Sequence, residues 1–143
     1  MRLHHVAYVC ENVEQKAEEF CRLLGYKIES SALIDENQNV RILFLVHKDG
    51  SRLELLEPYG PKSPVRKFLE KGGGLYHLCF EVDDLEDALR RITSNNQAYI
   101  VKQPTVAPAI EARRVAFVVT AGNDLIEFVE KTVMADCDGL GII

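Results

Sequence analysis

The run LHHVAYVC at residues 3–10 returns later in the chain as LYHLCFEV at residues 75–82, each with a histidine in third place. Sliding the sequence on itself by 72 residues lays His5 on His77, Val6 on Leu78, Tyr8 on Phe80, Glu14 on Glu86 and Phe20 on Ile92. A shift of 73 then lays RILFLV (residues 41–46) on RVAFVV (residues 114–119), Glu54 on Glu127 and Glu57 on Glu130. One register change across so many matches marks a duplicated module. A repeat of this size is one supersecondary unit that cannot bury its apolar face alone, so its copies must pack together.

Each copy reads βαβββ. Residues 3–10 are apolar and rich in β-formers. Asn12 caps a helix in which Val13, Ala17, Phe20, Cys21 and Leu24 recur at helical spacing, and Gly25 stops it. YKIESSALI (residues 26–34) is a second strand and residues 40–47 a third; the KDGS turn, with Gly50 free to take positive φ, leads to a fourth at residues 52–58. The second copy runs through strand 75–82, helix 85–93 behind an Asp-Asp cap, a weak strand near 98–101, and strands 114–120 and 124–130. The class is α+β. We divide the chain into a first module at 1–60, a linker with a short helix at 61–74 whose glycine run at 72–74 reads as a flexible entry to the next strand, a second module at 75–131 and a tail at 132–143, all within one domain.

Side chains alternate across a strand, so His5 shares a face with Leu3 and Ala7, and His77 with Leu75 and Cys79. Glu54 and Glu127 lie among apolar neighbours on the last strand of each copy, where a carboxylate is costly to bury without a partner. Two imidazoles and two carboxylates at matching places can hold one divalent cation, and mixed N/O ligation suits zinc, nickel, cobalt, manganese or ferrous iron. His4 and His47 have no counterpart in the other copy and are read as ordinary residues; Glu57 and Glu130 repeat but point to the opposite face.

Bulk properties narrow the partners. A net charge of −5 argues against general nucleic-acid binding. The longest apolar stretches, such as ILFLV at residues 42–46, are too short to span a bilayer, and the N-terminal run turns charged before a signal-type region forms, so a cytoplasmic location is expected. The four cysteines lack metal-type or paired spacing and read as reduced thiols. Lys62, Arg66, Lys67 and Lys71 on the linker, with Arg113 and Arg114, read first as solvated charges and second as a clamp for a phosphate of coenzyme A or a carrier protein. Edge strands left by paired modules make a homodimer an expectation.

The paired modules, with His and Glu at these points, resemble the vicinal oxygen chelate superfamily of glyoxalases, bleomycin resistance proteins and dioxygenases. LHHVAYVC and LELLEPYGPKSPVRKFLEKGGGLYHLCFEVDDLEDAL (residues 53–89) are most similar to its methylmalonyl-CoA epimerases. The resemblance implies a cup-shaped mixed sheet, His5, Glu54, His77 and Glu127 as ligands of one divalent ion, and Glu127 as the ligand that also moves protons. It implies a 2-substituted acyl thioester such as methylmalonyl-CoA as substrate, with a glyoxalase I-like lyase or a non-catalytic small-molecule binder as alternatives. The chain also departs from the epimerase pattern. The glycine- and histidine-containing loop before the seventh strand is replaced by QPTVAPAIEARRVAF, and VRILFLV lacks the carboxylate that some epimerases carry there.

Overall fold

The computed structural model describes residues 1–132. Apart from Thr132, the tail expected at 132–143 lies outside the described residues, as does Cys137. The first half comprises β1 (Arg2–Val9), α1 (Val13–Leu24), β2 (Lys27–Ile28), β3 (Leu33–Asp35), β4 (Val40–Val46) and β5 (Arg52–Pro58). After the short helix α2 (Arg66–Glu70), the second half comprises β6 (Gly74–Val82), α3 (Leu85–Thr93), β7 (Ala98–Ala107), β8 (Arg113–Thr120) and β9 (Leu125–Glu130).

Local chemistry sets the helix ends. The Asn12 side chain accepts from the Gln15 N–H at the start of α1, and Gly25, at φ 81°, closes it with an N–H to Cys21 O. Asp84 caps α3 in the same way through the Asp87 N–H. Val13 and Ala17 of α1 bury against Leu43, Leu45, Leu53 and Leu55, while Leu85 and Leu89 of α3 bury against Val118 and Phe128. Each helix therefore covers the outer face of its own half. No helix among the described residues is long and apolar enough to cross a membrane.

Among the described residues, one curled sheet of nine strands runs β2-β4-β5-β1-β6-β9-β8-β7, with β3 also on β4. Its centre is the antiparallel pair β1–β6, each strand the copy of the other; β5 lies parallel to β1, and β9 parallel to β6. The inner face is lined by a third apolar cluster that includes Ala7, Ile42, Leu56, Val65, Cys79, Val115 and Val129.

Three local expectations change. Residues 26–34 form two short strands instead of one, because the polar run Glu29–Ser31 between them has no apolar alternation to pack. The weak strand near 98–101 extends to Ala107 and passes through Pro104. Proline is tolerated there because β7 is the sheet edge and its register shifts between Lys102 and Thr105. The glycine run 72–74, read in sequence as a flexible link, follows a required path with all three residues at positive φ.

A Cβ on Gly73, itself at φ +70°, would stand 2.7 Å from the Val9 carbonyl oxygen. Gly73→Ala is expected to cost about 2–3 kcal/mol through backbone strain and this clash. The corresponding fall in thermal midpoint is about 5–10 °C. An unchanged melting curve would show that the linker relaxes freely.

Two ion-pair triads repeat with the modules. Arg41 binds Glu14 and Glu57, and Arg114 binds Glu86 and Glu130. Glu57 also accepts the Val13 N–H at 2.9 Å. The repeated pair Glu57 and Glu130 thus helps fasten each helix to the outer side of its sheet.

Candidate metal centre

The four predicted ligands reach one point because of pairing between the copies. Glu54 stands beside Ala7 in the parallel pair β1–β5, and Glu127 beside Cys79 in β6–β9, which is the same register twice. Across the central pair, Leu3 faces Phe80 while His5 already faces Cys79, so His4 is an extra residue on β1. Val6 faces Leu78 and Tyr8 faces Leu75, so Tyr76 and His77 together oppose Ala7. Each copy therefore carries a β-bulge ending in its histidine, opposite the equivalent residue of the other copy. A bulge sharpens strand twist and re-aims the side chain beside it. The two imidazole centroids meet 5.5 Å apart.

His5 Nε2 lies 3.2 Å from both Glu54 Oε1 and Glu127 Oε1, and His77 Nε2 lies 3.0 Å from Glu127 Oε1 and 3.5 Å from Glu54 Oε1. His5, Glu54, His77 and Glu127 are only 1, 4, 6 and 1 % exposed. Burial opposes protonation of His5, but the Glu54 charge and the close approach of Cys79, Glu127 and Glu54 overcome it and hold its pKa well above the ordinary 6.5. Burial likewise pushes Glu127 upward, yet the His5 ring at 3.2 Å and the hydrogen bond from His77 win and keep its carboxyl well below the usual range.

These residues fit a divalent ion. His5 Nε2 and Glu54 Oε1 are buried and lie 3.2 Å apart, yet among the described residues neither has a well-aligned hydrogen bond. Donors about 2.0–2.2 Å from a common ion stand roughly 3–3.6 Å apart, which matches the separations here.

Other side chains border the cluster. Phe44 faces Glu54 across β4–β5 and meets the His5 ring edge-on at 5.2 Å; Phe117 faces Glu127 across β8–β9 and meets His77 at 5.4 Å. These two walls were overlooked in the sequence reading, although the 73-residue shift lays one on the other. His4, read as ordinary, lies against the site with Nδ1 2.8 Å from His5 Nδ1, and burial and the His5 charge lower its pKa to about 4. His47 serves α1: its Nε2 meets Leu24 O at 2.9 Å. A phosphate clamp by Arg113 and Arg114 is not what the structure contains. Arg114 binds Glu86 and Glu130, and Arg113 binds Glu81 and the Glu130 carbonyl. A cavity of about 290 Å³ opens beside His77, with Val65, Tyr76, Lys102 and Phe117 among its walls.

Residues 4–117 match the sequence model of the Glyoxalase/Bleomycin resistance protein/Dioxygenase superfamily. The mitochondrial methylmalonyl-CoA epimerase of Dictyostelium discoideum is 31 % identical over 107 residues, which cover 73 % of this chain and 63 % of that protein. The chain thus spans less than two thirds of this relative's length. The ethylmalonyl-CoA/methylmalonyl-CoA epimerase of Cereibacter sphaeroides is 34 % identical over 93 residues, covering 64 % of this chain and 68 % of that one. The crystal structure of methylmalonyl-CoA epimerase from Mycobacterium tuberculosis superposes with a TM-score of 0.83 at 26 % identity, covering 96 % of this chain and 92 % of that one.

Proposed function

The chain belongs to the glyoxalase/bleomycin resistance protein/dioxygenase superfamily, and from that premise we propose a metal-dependent epimerase of a 2-substituted acyl thioester, methylmalonyl-CoA or a close analogue. The observation that carries the chemistry is the convergence of four buried donors from matching places in two copies. The names of the relatives support the choice of substrate.

His5, Glu54, His77 and Glu127 would hold one Co(II), Ni(II), Mn(II) or Zn(II) ion. Bound there, the ion supplies a Lewis acid for the thioester oxygen on which negative charge develops, an effect of several kcal/mol. The protein supplies the rest. The two bulges fix the imidazole directions, and Phe44 and Phe117 pack against them and limit water access. Glu127 stays deprotonated beside the two imidazoles and is the group we assign to removal of the C2 proton. Proton return to the other face of C2 inverts the centre, whereas return to the neighbouring carbon is the glyoxalase-type outcome. The reading includes an acyl thioester as small-molecule partner and a homodimer, the latter supported by β2 and β7, which are edge strands among the described residues.

Exchange of the C2 proton of methylmalonyl-CoA in deuterated buffer, with Co(II) or Mn(II) added, tests this reading. Exchange with racemisation is expected. Absence of exchange, together with turnover of a glutathione hemithioacetal, would replace the epimerase by a glyoxalase-type isomerase.

A further inference from the structure

Lys102 stands on the inner face of the sheet only because β7 is irregular. Ile100 pairs with Val118, whose side chain packs on the outer side with α3, and simple alternation would send Lys102 outward as well. The register slips by one residue between Ile100 and Lys102, so Lys102 pairs instead with Phe117. A slip of one residue moves a side chain to the other face. Directly paired residues in an antiparallel ladder share a face, so Lys102 lies next to Phe117, which meets His77 edge-on and pairs on its other side with Glu127. A second slip between Lys102 and Thr105 moves the register one residue further, so that Thr105 pairs with Val115.

Lys102 is half-buried on the wall of the 290 Å³ cavity beside His77, which Leu56, Val65, Val101 and Leu125 also line, and its Nζ sits at the solvent side of that wall. Among the described residues it pairs with no carboxylate. Its Nζ donates to Asn37 O at 3.0 Å, and an ammonium has three N–H groups, so two remain for a ligand. The acceptor is itself held firmly: buried Asp35 takes the N–H groups of Asn37 and Gln38, and Asn37 Nδ2 donates to Val106 O. The turn of the first copy thereby holds a lysine of the second at the mouth of the site, a preorganised arrangement that spares a ligand the cost of ordering it. The cavity lies at the small end of ligand pockets, a size suited to an acyl group and too small for a whole coenzyme.

We propose that Lys102 is a specificity-determining residue that binds a carboxylate on the acyl group of the substrate, with the apolar wall seating its carbon chain. The inference rests on the acyl-thioester reading and deepens it. Two positions of that carboxylate share this chemistry, on C2 itself or at the far end of a short arm.

Calorimetric binding of methylmalonyl-CoA, glutaryl-CoA and butyryl-CoA to the Co(II)-loaded full chain tests the proposal, with Lys102→Met and Lys102→Arg alongside. At least one acidic thioester is expected to bind about ten- to a hundredfold more tightly than butyryl-CoA. Lys102→Met should erase that preference and Lys102→Arg should retain most of it. A preference for methylmalonyl-CoA assigns the carboxylate to C2, and one for glutaryl-CoA assigns it to the arm. Butyryl-CoA binding as tightly as both acids, or a preference that survives in Lys102→Met, would overturn the proposal. A protein that shows no C2 exchange but keeps a Lys102-dependent preference loses the epimerase reading alone.

Discussion

Glu127→Gln is expected to slow exchange of the C2 proton by a factor of about 10²–10⁴, the usual contribution of a positioned general base. Glutamine preserves the shape of a side chain that is 1 % exposed, so the packing around Phe117 and Cys79 should survive. What it removes is the negative oxygen 3.0 Å from His77 and 3.2 Å from His5. The amide can neither accept the proton nor neutralise a cation. The loss should therefore persist at saturating metal and appear in kcat, while the thermal midpoint of the metal-free variant falls because the carboxylate held by His5 and His77 is gone. A variant that exchanges at the parent rate under those conditions would remove Glu127 from the chemistry.

Metal uptake should be strongly pH-dependent, and the metal-free protein should show the reverse trend in stability above neutrality. The folded pKa of His5 is raised above 6.5, so its stabilising contribution is complete below that value and is lost as pH rises through the raised one. The pKa of Glu127 is depressed below 4.5, so its contribution is present above that value and is lost as pH falls through the depressed one. Both are in force between about pH 4.5 and 6.5, and His4, held down to about 4 when folded, costs stability as pH falls through that window, so the metal-free chain should be most stable towards its upper end. Only as pH passes the raised value does His5 give up its proton and leave Glu54 and Glu127 facing each other in a buried site. A metal ion must displace that same proton. Affinity should consequently rise about tenfold per pH unit until the raised pKa of His5 is passed, with one proton released per ion. Thermal midpoints across pH 4–9 and calorimetry in buffers of different ionisation enthalpy measure both quantities. A flat stability profile with no proton release would mean that His5 is neutral in the metal-free fold.

The duplication made the halves and the four donors legible, because both lie along the chain at fixed offsets. His5 and His77 match at one shift, Glu54 and Glu127 at another, and the parallel pairs β1–β5 and β6–β9 turn those offsets into contact. The same shift already carried Phe44 onto Phe117 and Arg41 onto Arg114. The aromatic walls and the ion-pair triads were therefore readable in principle, had each matched position been asked what it packs against.

The bulges are a different matter. They arise from the register between β1 and β6, strands 72 residues apart in sequence, and no local pattern announces an extra residue at His4 or Tyr76. For this reason His4 read as ordinary in sequence, although it lies against His5. Lys102 was missed for a related cause: period-two alternation puts it on the wrong face, and only pairing with β8 shows the slip. The glycine run misled in the opposite way. Gly73 reads as freedom in sequence, yet its φ and its approach to Val9 make it a constraint.

The most direct test is to titrate the metal-stripped protein with Co(II) and follow the visible absorption of the bound ion. The parent should saturate at one ion per chain, and His77→Ala should bind at least a hundredfold more weakly while keeping its fold. If the parent takes up no cobalt, or His77→Ala titrates as the parent does, the four side chains do not form a metal centre.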